Sequence, residues 1–145
     1  MAAAGALQTT EKSALLWRFA VLHDSGVVHL VHYSWNVHAE MANKGDDAHT
    51  LVSIATLSTG LTAGRGIVWA SCVYLFAANE ESVMCIQVDE TTSALALMAK
   101  KRVNVRCVSG FAVRRLTPVL FDVMLSGQGL EYVRFRTPQA QTLNV

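Results

Sequence analysis

Residues 48–60 read AHTLVSIATLSTG, and the secondary structure given to them decides the fold. Ala48, Leu51, Val52 and Ala55 recur at helical spacing, with Ile54, Leu57 and Leu61 on an adjoining stripe. Asp46 or Asp47 offers an N-cap ahead of them, and Gly60, Gly64 and Gly66 offer a stop. The pattern predicts a helix running to about Leu61. Its polar remainder is only serine and threonine, so such a helix would pack between layers.

On the N-terminal side, LLWRFAVLH (15–23) and VVHLVHYSW (27–35) flank the turn DSG and predict a hairpin. NVHAEMANKGDD (36–47) has no periodicity and reads as a loop. On the other side, three short strands fit at 66–71, 73–79 and 82–89, the last two joined by NEES. Asp89 to Thr92 offer caps for a helix over about 91–101, TTSALALMAKK. RVNVRCVS (102–109) is a strand or an extended connector. Thr117 and Pro118 read as N-cap and first residue of a last helix, PVLFDVML, ending at SGQG.

The expected class is therefore α+β: a five-stranded antiparallel sheet with helices on its faces, in the order β-β-α-β-β-β-α-α. The expected organisation is a flexible lead over 1–13, one domain over 14–129 and a partly disordered tail over 130–145. No internal repeat or low-complexity segment appears.

At 145 residues the chain can bury a real core without staples. It is 52% hydrophobic and only 16% charged, against about 25% charged in a typical soluble domain. A surface so poor in charge implies that part of it is covered by another protein. Residues 1–90 carry four basic and nine acidic side chains, whereas 91–145 carry eight and two. The apolar run GIVWASCVYLFAA (66–78) is shorter than the ~20 residues of a membrane span. No signal peptide is expected from MAAAGALQTTEK. Cys72, Cys85 and Cys107 form no C-x-x-C pair and read as small hydrophobes in a reducing cytosol.

The triplet His38-Ala39-Glu40 matches the opening of a zinc deaminase site, in which the His binds zinc and the Glu moves protons. The site also needs a P-C-x-x-C pair, and the only prolines, Pro118 and Pro138, adjoin no cysteine. The deaminase is thus a remote alternative. His29 and His32 fall on opposite faces of a strand, and the remaining histidines are scattered, so no metal or cofactor is expected. TGLTAGRG (59–66) lacks the Gly-Lys-Ser/Thr ending of a phosphate loop. Arg114, Arg115, Arg134 and Arg136, with Tyr132 and Phe135, make nucleic-acid binding a secondary reading. No enzyme emerges.

Several stretches occur in the order found in a known family. Arg18-Phe19, AVLH, Gly26 and HLVHYSW resemble the opening of the small sigma chains of clathrin adaptors. VLFDVMLSGQG (119–129) is similar to their third helix, and SCVYLFAANEES (71–82) to a meander strand shared with TRAPP tethering subunits. The chain resembles the longin-like trafficking family, nearest to sigma chains and the coatomer zeta subunit, with a longin-type TRAPP subunit nearly as close. His29 stands where some sigma chains carry a basic cargo-binding residue, so no cargo site is carried over.

The resemblance implies a non-catalytic small subunit of a coat, adaptor or tethering complex, cytoplasmic and peripheral on intracellular membranes. The expected partner is a larger subunit of a hetero-oligomeric complex, contacted through Leu51, Leu57 and Leu61 on the first helix and Val119, Leu120 and Met124 on the last. Lys100, Lys101, Arg102, Arg106, Arg114 and Arg115 would face an acidic membrane or an acidic partner surface.

Overall fold

The computed structural model describes residues 2–10, 14–36 and 49–138, and all its regular elements are strands. Four form a first sheet in the order β1 (Ala2–Thr10), β2 (Ala14–Leu22), β3 (Val27–Asn36) and β4 (His49–Ser58). Four more form a middle sheet: β5 (Gly66–Trp69), β6 (Tyr74–Ala78), β7 (Ser82–Val88) and β8 (Leu95–Arg102). The third sheet holds β9 (Gly110–Thr117), β10 (Leu120–Ser126) and β11 (Leu130–Arg136). Each sheet is an antiparallel meander in chain order.

This overturns the α+β expectation and, with it, the longin-like resemblance, which requires helices on a single sheet. The expected first helix is β4, paired along its length with β3 from Trp35↔His49 to Val27↔Ser58. Thr50, Val52, Ile54 and Thr56 are β-branched at every second position, and branched side chains fit a pleated surface better than a helix. The same apolar residues satisfied both periods, and pairing decided between them. The expected second helix is β8. Here the Asp89 carboxylate accepts hydrogen bonds from the backbone of Thr91 and Thr92 and closes a turn between strands. The expected last helix is β10, in which Phe121, Val123 and Leu125 alternate inward; the Thr117 hydroxyl caps the hairpin turn at Val119. Residues 130–136, expected as tail, form β11.

The hairpin at 14–36 and the three strands from Gly66 to Val88 lie where the turn chemistry placed them. Gly26 makes the first turn with φ +89, and a Cβ there would meet the backbone nitrogen of Leu61 at 2.8 Å.

The sheets stack face to face with the middle one between the others. Successive residues of β7 point opposite ways. Met84, Ile86 and Val88 join Leu22, Leu30 and Leu61 in a core with the first sheet. Val83 and Cys85 join Phe76, Phe121 and Phe135 in a core with the third. Phe76 meets Phe121 at 5.4 Å and Phe135 at 5.1 Å between ring centres. Each such buried ring contributes about 1.5–3 kcal/mol. The first and middle sheets press together most closely where β1 lies against β5, and β5 in turn touches β9. At the opposite edge β4 also meets β8, less extensively than β1 meets β5.

Candidate interaction surfaces

Among the described residues, the middle sheet has both faces covered, and the first and third sheets each leave one face open. Register fixes what those faces show. On the third sheet, Arg114, Asp122 and Arg134 lie in one cross-strand row, and Ala112, Met124 and Tyr132 in the next. Asp122 is nearly closed off beneath its neighbours, accepting from Arg134 Nε at 2.8 Å and Arg114 Nη2 at 3.2 Å. Those hydrogen bonds, Arg134 first, hold its carboxyl below the usual range. The side chains of Arg114 and Arg134 themselves stay 71% and 63% exposed, respectively. Tyr132 is 61% exposed and Met124 37% exposed beside them. Arginine, methionine and an aromatic around a shielded carboxylate is the residue mix enriched in protein interfaces.

The open face of the first sheet is a row of rings. Trp17 stacks on Tyr33 at 5.4 Å, Tyr33 on His49 at 5.8 Å, and Trp35 on His49 at 6.2 Å. The Tyr33 hydroxyl is hydrogen-bonded to His49 Nδ1. Phe19 lies on the same face over Gly5, where a Cβ would come within 2.5 Å of its ring. Leu51, paired with Tyr33, is 70% exposed. Sequence reasoning passed over this row because its members come from three strands. The aromatics at i and i+2 in WRF and YSW were the available signal.

The predicted contact residues divide. Leu51 and Met124 are exposed, at opposite ends of the stack. Leu61 is buried and Leu57 packs against the same core, so both are structural. Leu120 is half-buried at the start of β10, and Val119 lines a cleft of about 700 Å³. Among the basic residues, Lys100, Lys101 and Arg102 lie on β8, an edge strand, where lysines discourage strand addition. Lys101 Nζ donates to the Arg134 carbonyl and sits 4.9 Å over the Phe135 ring. Arg106 lies exposed in the connector to β9, and Arg115 enters the cleft beside Val119. The six cations thus spread over several surfaces. Phe135, offered for base stacking, is enclosed in the core.

Asp89 and Glu90 also line that cleft. The first is occupied with the turn, and the second accepts the Cys72 thiol at 3.3 Å. His38 and Glu40 lie outside the described residues. Cys85 is sealed between the middle and third sheets, with its thiol pushed up to about 12 by burial. Cys72 and Cys107 are exposed, and among the described residues no three His, Cys, Asp or Glu side chains gather to hold a metal. No helix among the described residues is long and apolar enough to cross a membrane. Comparison with known proteins finds no matching family model and no matching curated relative.

Proposed function

We propose that this chain is a non-catalytic interaction module that acts when protein covers the open faces of its outer sheets. The observation carrying this reading is the pairing of Met124 and Tyr132 with two arginines on one end of the stack, and Leu51 with four stacked rings on the other. Large side chains left bare on flat strand surfaces favour burial against a partner. The cleft's two carboxylates are engaged in the fold, Asp89 accepting from the amides of Thr91 and Thr92 and Glu90 from the Cys72 thiol. The trafficking-complex assignment leaned on the longin resemblance. What carries over from it is the partner-covered surface.

The test is affinity purification from the native cells with wild-type bait and with Leu51→Asp and Met124→Asp baits. A protein recovered in fixed stoichiometry with the wild type and lost with either variant supports the reading. Recovery that ignores both substitutions, or no stoichiometric protein at all, contradicts it.

A further inference from the structure

We infer that the occupant of each open face is a second copy of this chain, joined head to tail: the arginine face of one copy's third sheet against the aromatic face of the other's first sheet. This rests on the interaction reading above and gives it a partner.

Chemistry selects the pairing. Among the described residues of β2, β3 and β4, Arg18 is the only charged side chain, and it points inward to Trp69 of the middle sheet. The outer face of the first sheet therefore offers Trp17, Tyr33, Trp35 and Leu51 with no charge of its own on those strands. The third sheet offers Arg114 and Arg134 with only Asp122 between them. Guanidinium groups over aromatic faces attract, and arginine is the cation that most often does so. Two third-sheet faces brought together would instead oppose arginine to arginine.

Geometry selects a closed pair over an open chain. The first and middle sheets lie closest along β1 and β5, β4 meeting β8 less extensively at the far edge, and β5 carries on to β9, so a lean of the stack toward its first strands would bring the two outer faces round to one partner. Two copies bring six sheets, within the about four to eight that close radial arrangements. From strand spacing and rise, each outer face covers about 400 Å². A closed pair uses both faces of each copy, about 800 Å² per chain, which is the area of a standard stable interface. One joint alone supplies half of that. Closure also leaves no open sheet face to extend into fibres.

The experiment is sedimentation velocity of the wild-type chain, of Leu51→Arg and of Tyr132→Asp, alone and mixed in equal amounts. Both positions are well exposed, and far-UV circular dichroism confirms that each variant keeps its strands. The wild type is expected as a dimer at about 10 µM. Each variant damages both joints of its own dimer, at about tenfold per joint, and so raises the dissociation constant about 100-fold. In the mixture one joint is intact and the other sets the introduced arginine of one variant against the introduced aspartate of the other, so the dimer returns. A wild-type chain that stays monomeric up to about 0.1 mM overturns the inference while leaving the interaction reading to its own test. So does an effect of only one variant, or a mixture no tighter than its components, because either result indicates like-face pairing.

Discussion

The guanidinium of Arg18 lies 4.6 Å from the centre of the Trp69 ring and donates from Nη2 to the Cys72 carbonyl at 2.7 Å. This one side chain ties β2 of the first sheet to the end of β5 and to the turn that follows it, while Trp69 Nε1 donates back to the Ala4 carbonyl of β1. Arg18 is buried, and burial lowers its pKa from the ordinary guanidinium value.

Truncating it removes a ring contact and a charge-assisted hydrogen bond together. Arg18→Ala should lower unfolding stability by about 2–4 kcal/mol. Arg18→Met, which keeps the volume, should lose less. Urea unfolding measures both, and a loss below about 0.5 kcal/mol for the alanine variant would show that the sheets are joined without it.

His32 is paired with Arg18 in the register and shares its inward face; its Nε2 is buried without a hydrogen-bond partner among the described residues. Burial, then the Arg18 charge, hold its pKa below the ordinary imidazole value. The unfolded chain therefore binds the proton more readily. The stability this contributes is complete above about pH 6.5 and is lost as pH falls from there through the lower native value. Asp122, also depressed, loses its contribution only in stronger acid, below the ordinary carboxylate range. The urea midpoint should drop between pH 7.5 and 5, and His32→Phe should flatten that drop. An unchanged slope in the variant would assign the effect elsewhere.

The hairpin at 14–36 and the first three strands of the middle sheet were legible because their boundaries carry turn chemistry: DSG before β3, NEES before β7. Six others were not: β4, β8 and β10 read as helices, β1 and β11 fell in the expected lead and tail, and β9 in a stretch given no element. The apolar spacing in HTLVSIATLS and LALMAKK fits a helix as well as a strand, and only pairing with β3 and β7 separates the two. The basic C-terminal third was legible as composition. Its division was hidden, since Arg114 and Arg115 are neighbours in the chain yet one faces Asp122 and the other a cleft. Leu61 looked like a contact residue because its burial comes from distant parts of the chain, Leu22 and Leu30 of the first sheet and Met84 and Ile86 of the middle one.

That turn makes its own prediction. Gly26 has a left-handed backbone, and its carbonyl accepts from both the amide and the hydroxyl of Thr59. Gly26→Ala adds strain and a clash with the Leu61 backbone, and should cost about 1–3 kcal/mol. Thermal unfolding of the variant checks this; a melting temperature equal to wild type would mean the connector can move aside freely.

The three thiols should separate by environment. Exposed Cys107 should react first with a thiol-specific reagent. Cys72 should follow more slowly, because burial and then its hydrogen bond to Glu90 raise its pKa. Cys85, at about 12, should react only after unfolding. Three equivalents released at one rate from folded protein would contradict the packing between the middle and third sheets.

The central claim, that the open ends of the stack exist to be covered, is tested most directly by oxidative footprinting of the dilute purified chain against the assembled form from native cells. Met124 and Tyr132 should label readily when dilute and be shielded on assembly, with Met84 and Phe121 shielded in both states. Equal labelling of Met124 and Tyr132 in the two states would show that nothing covers the third sheet, and the account would fail.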